Sequence, residues 1–172
     1  MTVAGGVPVH GARRDPAGGA HETELVRDLA RLEALGDELD EVHARTGAPA
    51  SARWAAVHAD MRHEPRAKPW CVVVRRGPAI VAAGLAVAQW RLGGCSIRSA
   101  THPHEPGWLA ALDDPASDAL ASAIAGSLTA LRRPWRLEWR HLPVADPTLA
   151  ALLGLLPVSA SVAGGSAARV VR

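Results

Sequence analysis

The segment from Trp70 to Ala100 leaves few options for the rest of the chain. It reads WCVVVRRG, PAIVAAGLAVAQWRLGG and CSIRSA, three largely apolar runs separated at Gly77-Pro78 and Gly93-Gly94. Both separators are turn chemistry, so the segment predicts an antiparallel meander of strands Trp70 to Arg76, Ala79 to Arg91 and Cys95 to Ala100. Between Ile80 and Val87, apolar or small residues fill both alternating sets, which requires cover on both faces. A helix is the rival reading of Ala79 to Ala88, because the run holds only Ala, Gly, Leu and β-branched residues; the flanking Gly and Pro decide for a strand.

At 172 residues the chain is long enough for one domain with a real core and no need of disulfides or metal. Residues 1–20 are rich in Gly, Ala and Pro without periodicity and read as a disordered lead, leaving 21–172 as the folded domain. From His21 to Thr46 the spacing of Leu25, Leu29, Leu32, Leu35, Leu39 and Val42 predicts one helix with an apolar stripe, stopped by Gly47. Ser51 is placed to cap a second helix carrying Trp54, Val57, His58 and Met61, which Pro65 closes.

Beyond the meander, His102 to Pro115 reads as a long irregular loop of the kind that borders a site. Asp114 with Pro115 predicts the start of a third helix, striped by Leu120, Ile124, Leu128 and Leu131, with Arg132 and Arg133 where the helix dipole favours cations. Trp135, Leu137 and Trp139 alternate with Arg136, Glu138 and Arg140, the pattern of a strand with one packed and one polar face. Asp146-Pro147 repeats the helix-start signal for a helix to Gly154. A hairpin of Val158 to Val162 and Ala168 to Val171 follows, its second strand ending so near Arg172 that a fragment or half-protein is expected.

Net charge is only +2, with 19 basic against 17 acidic side chains, and WRLEWRH is the only basic stretch interleaved with aromatics. The expectation is therefore no nucleic acid partner. The longest apolar run, Ala79 to Ala88, is about half the roughly 20 residues a membrane helix needs, and nothing resembles a signal-peptide core, so the chain is expected to be cytoplasmic. Cys71 and Cys95 fall on strands one and three of the meander, too far apart for a bridge, and read as reduced thiols filling the core.

Chemistry is sparsely marked. His102, His104 and Glu105 offer ligand atoms within four residues, but the remaining candidates Cys95, Asp113 and His141 follow no metal-site spacing, so no metal is expected. No G-x-S-x-G elbow is present. Of the six Trp, Trp54, Trp70, Trp135 and Trp139 fall on core faces, while Trp90 and Trp108, with His102 and His104, remain candidates for substrate contact.

The order of two helices, a meander, a helix, a strand and a further helix resembles the GNAT acyl-CoA N-acyltransferases. Locally, GAPASARWAAVHADM before PWCVVVRRG, and PWRLEWRHLPVADPTLAALLGLLP later, resemble the N-terminal half of CelD-like, FemABX-related bacterial members. The resemblance implies an α/β GNAT-like domain with a mixed sheet built on the meander and flanked by helices. It implies transfer of an acyl or aminoacyl group to an amine in the full-length family, this chain being the non-catalytic half beside a second GNAT-like domain in cis or trans. It also implies acyl-CoA for the full-length family, on a Gln/Arg-x-x-Gly-x-Gly/Ala loop leading from a strand into a helix. The nearest match here is Arg91-Leu92-Gly93-Gly94-Cys95-Ser96, which makes Arg91, Gly93 and Gly94 the candidate cofactor residues, but it ends in Ser and reads as a hairpin turn. The helix that follows opens DDPASD, which repels a pyrophosphate. No cofactor is expected in this chain itself, and no catalytic base is assignable. The competing expectations are a complete minimal N-acetyltransferase with a degenerate CoA loop, and a non-enzymatic interaction or scaffold domain.

Overall fold

The computed structural model describes residues 20–47, 54–64, 66–100, 109–140, 142, 145–156, 159–163 and 167–171. The lead 1–19, Ser51, Pro65 and the segment 101–108 with His102, His104 and Trp108 lie outside them. The helix expected over His21 to Thr46 is three elements: β1 (His21–Val26), α1 (Leu29–Ala34) and α2 (Gly36–Thr46). β1 runs antiparallel to a later strand, pairing His21 with Arg76 and Val26 with Cys71. Leu25 packs into a different core from Leu32, Leu35 and Leu39, so its place in the heptad-like stripe is coincidental. Asp28 starts the helix by accepting the Arg31 N–H at 3.0 Å, and Gly47 ends α2 at φ 66°.

α3 (Ala55–His63) leads into β2 (Ala67–Pro69), β3 (Cys71–Arg76), β4 (Ala79–Gly84), β5 (Ala86–Arg91) and β6 (Gly94–Ser99). The expected meander is present, with β3 antiparallel to β4 and β5 antiparallel to β6. It is bent, however: the middle strand breaks at Leu85, and the first at Trp70. β2 pairs with β5 while β3 pairs with β4, and the Trp70 N–H bonds the Ala86 carbonyl at 2.8 Å across the break. Trp70 is fully buried at the fold line, where the ribbon parts into two sheets. The segment expected to be loop from His102 to Pro115 also contains a short strand, β7 (Leu109–Ala111), antiparallel to β4. Its three residues are too few to show a period.

α4 (Asp114–Thr129), β8 (Trp135–Arg140), α5 (Pro147–Leu155), β9 (Ser159–Ala163) and β10 (Ala167–Val171) complete the element order. The strands run β1-β3-β4-β7 in one sheet and β2-β5-β6-β8-β10-β9 in the other, where β6 and β8 are parallel and make the sheet mixed. β10 is an interior strand, paired with β8 on one side and β9 on the other. The N-cap of α4 is Asp113 rather than Asp114, and Asp146 caps α5 by accepting the Leu149 N–H at 2.8 Å.

Helices cover both faces. Leu32, Leu35, Leu39 and Val57 of α1 to α3 pack on Val73, Ala83, Leu85 and Val87, while Leu120, Ile124 and Leu128 of α4 pack on Val72, Ala82, Leu137 and Trp139. The doubly covered strand read from Ile80 to Val87 is thus accounted for: each of these residues is buried. No helix among the described residues is long and apolar enough to cross a membrane.

Candidate functional site

In a fold with a strand running into a helix across the sheet edge, the helix N-terminus is where an anion finds N–H donors and a favourable dipole. Here that junction joins β7 to α4 through Leu112 and Asp113. Asp113 turns its own carboxylate into the position: Oδ1 accepts the Ala116 N–H at 2.8 Å, and its backbone carbonyl accepts the Ser117 N–H at 3.0 Å. Pro115 has no N–H to offer. The carboxylate is pinned from outside by Arg76 at the end of β3, whose Nη1 and Nη2 donate to Oδ2 and Oδ1 at 2.9 and 3.0 Å. Arg76 in turn donates through Nε to His21 Nε2 at 3.2 Å.

The Arg76 hydrogen bonds, with help from the Ala116 N–H, hold the Asp113 carboxyl below its ordinary value of 3.8. A carboxylate with a depressed folded pKa stabilises the fold above its unfolded pKa, and that contribution disappears as pH falls through the folded value. Wild type should therefore exceed Arg76→Ala in urea midpoint by a steady margin above about pH 5, shrinking below about pH 4. Asp113 is partly exposed, so the margin is modest, and a margin independent of pH would show that the pair is not its source.

The candidate cofactor loop is elsewhere and is a turn. Arg91 and Gly94 pair as the closing rungs of the β5–β6 hairpin, with Leu92 and Gly93 at its tip. Gly94 adopts φ 150°, and a Cβ there would collide with the Pro134 carbonyl oxygen. The second glycine thus serves the close approach of β6 to the connection entering β8. Arg91 bonds the side-chain oxygen of Gln89 through Nε and Nη2 at 3.1 and 2.7 Å. The turn does border an open groove of about 810 Å³, lined by Trp90, Arg91 and Gly93 together with Arg66, Gln89, Leu92 and Arg133. Among the sequence candidates Gly94 is not part of that lining, and Trp108, His102 and His104 lie outside the described residues.

Elsewhere the chemistry is subdued. Burial pushes the Cys71 thiol up to about 12 and raises that of Cys95, so both stay protonated and unbridged. Trp135 and Trp139 are buried against α4, which removes them as stacking platforms, and Arg136 pairs with Glu138 at 2.5 Å. On the opposite side of the second sheet, Asp60 of α3 accepts from Arg98 Nη1 at 2.7 Å, with Glu64 3.4 Å from Nη2. Burial outweighs the arginine and raises the Asp60 pKa. No group of three His, Cys, Asp or Glu able to hold a metal occurs among the described residues. Sequence reading missed the Arg76–Asp113 clamp and the placement of Arg66 and Arg133 on the groove, because both bring together distant segments with no local period.

A crystal structure of an acetyltransferase from Thermus thermophilus superposes with TM-score 0.52 at 12% identity, covering 87% of this chain and 96% of that one. The structure of a putative acetyltransferase of the GNAT family from Desulfovibrio desulfuricans gives 0.50 at 14% identity, covering 89% and 98%. The chain has the GNAT acetyltransferase fold. Mycobacterium smegmatis RimJ in complex with CoA-disulfide also aligns, with TM-score 0.45 at 16% identity over 90% of this chain and 82% of that one. No protein-family model and no curated protein matches the sequence. Leu112 and Asp113, neither of them glycine, connect β7 to α4.

Proposed function

We propose that this chain is a GNAT-fold domain that does not itself bind an acyl donor. It acts as the non-catalytic, scaffolding half of a CelD-like, FemABX-related acyltransferase. The acyl or aminoacyl transfer to an amine belongs to a second GNAT-like domain packed against it, in cis or in trans. The observation that carries this reading is the Asp113 carboxylate seated on the first turn of α4 and clamped by Arg76. To place a pyrophosphate there, the cap and both arginine bonds must break, and the ligand's negative charge must be brought against Asp113 and Asp114. Either loss alone removes the charge-assisted bonds that anchor such a ligand. The two buried, unbridged cysteines fit a reducing compartment, in keeping with a cytoplasmic protein.

Calorimetric titration with acetyl-CoA tests the proposal. No saturable binding is expected at tens of micromolar. Saturable binding in that range that survives Arg66→Ala/Arg133→Ala and is altered by Asp113→Ala would place the donor at the α4 junction and make the chain an acetyltransferase in its own right.

A further inference from the structure

The groove beside the β5–β6 turn has a composition that neither the fold nor the proposed scaffold role requires. Arg66 enters it from the start of β2, Arg91 from the end of β5 and Arg133 from the connection between α4 and β8. Elsewhere among the described residues, Arg31, Arg75, Arg76, Arg98 and Arg136 each pair with a carboxylate, whereas Arg27, Arg45, Arg62 and Arg132 stand singly on the surface without one. None of the three groove arginines has a carboxylate partner among the described residues, and Arg91 bonds only the neutral Gln89. Three arginines lining one groove without a carboxylate among them give it a positive potential, which an anion in the groove would neutralise.

Beside them sits Trp90, 40% exposed, whereas Trp70, Trp135 and Trp139 are at most 3% exposed. An indole left in water next to three cations offers a flat apolar surface to whatever the cations hold. The volume of about 810 Å³ lies within the roughly 300–1,000 Å³ of small-molecule sites.

We propose that this groove binds a nucleoside diphosphate, its phosphates on Arg66, Arg91 and Arg133 and its base against Trp90. Charge matching selects the class. A monocarboxylate neutralises one of the three cations, and inorganic phosphate leaves the indole unused. A nucleoside diphosphate carries a charge of about −3 at pH 7 together with a planar ring. The site lies at the hairpin end of β5 and β6, separate from Asp113, and does not depend on the scaffold reading.

Titration of the intact chain with ADP, followed by Trp fluorescence and calorimetry in low salt, tests it. Saturable binding is expected with Kd of order 0.1–1 mM, since an open site forfeits part of its contacts to solvent, and it should weaken several-fold when salt is raised to about 0.3 M. Arg66→Ala/Arg133→Ala should weaken binding at least tenfold. Trp90→Ala should abolish the preference for ADP over ribose 5-diphosphate, which keeps the two phosphates and lacks the base, while leaving the thermal midpoint close to wild type, as suits an exposed side chain. Asp113→Ala should leave ADP affinity unchanged. Absence of saturation up to about 5 mM, or affinity indifferent to the double arginine change, would overturn the proposal, as would equal affinity for ADP and ribose 5-diphosphate in the unaltered chain.

Discussion

Gly94→Ala is expected to destabilise the domain by about 3 kcal/mol or more, from backbone strain and overpacking acting together. The residue sits at φ 150°, outside the range an L side chain adopts readily, and its Cβ would run into the Pro134 carbonyl oxygen. The obstacle is backbone, and the Cys95 N–H already bonds that same oxygen at 3.0 Å, so neither side can retreat without losing the entry to β6 and β8. Gly93→Ala is the matched control: its Cβ meets nothing within 4 Å and its φ is not positive. It should be neutral or slightly stabilising, by about a few tenths of a kcal/mol. Denaturant melts of the two variants give the comparison. Equal losses would mean that the glycines serve the turn alone and that the Pro134 contact is not the reason for the second one.

Trp139→Ala should cost about 3–5 kcal/mol, the range for emptying a large aromatic site in a core. Trp139 is 2% exposed on β8, and its Cζ2 lies 3.6 Å from where a Gly84 Cβ would be, beside Leu109 and Ile124. It therefore joins the second sheet to β4 and β7 of the first, filling the wedge where they diverge. Its indole N–H has no hydrogen-bond partner among the described residues. Trp139→Phe keeps most of the apolar contact and removes that unsatisfied donor, so its cost should stay near about 1 kcal/mol. Chemical denaturation of both variants measures the difference. A Phe variant as damaged as the Ala variant would mean that the indole N–H is bonded after all.

Much of the architecture was legible in local pattern. The WRLEWR alternation, the Gly77-Pro78 and Gly93-Gly94 turns, the Asp-Pro helix starts and the doubly apolar Ile80 to Val87 each rest on forces acting within a few residues. Those forces are the same in an isolated peptide as in the fold. Where the reading failed, a distant partner had outvoted the local signal. HETELV joins the leucine stripe by period yet becomes β1, because β3 offers it a ladder from His21–Arg76 to Val26–Cys71. The meander's bend at Trp70 and Leu85 was equally invisible, since a buried indole at a fold line reads in sequence like any other core residue.

For the site, neighbouring residues already spelled out the hairpin at RLGGCS and the capped helix start at DDPASD. That reading holds because turn and cap chemistry are written in adjacent residues. Packing supplied the remainder, bringing Arg76 from β3 onto Asp113 and placing Arg66, Arg91 and Arg133 with Trp90 along one groove. Charge pairing and charge crowding depend on distances between segments tens of residues apart, and those distances exist only once the two sheets and their helices have packed.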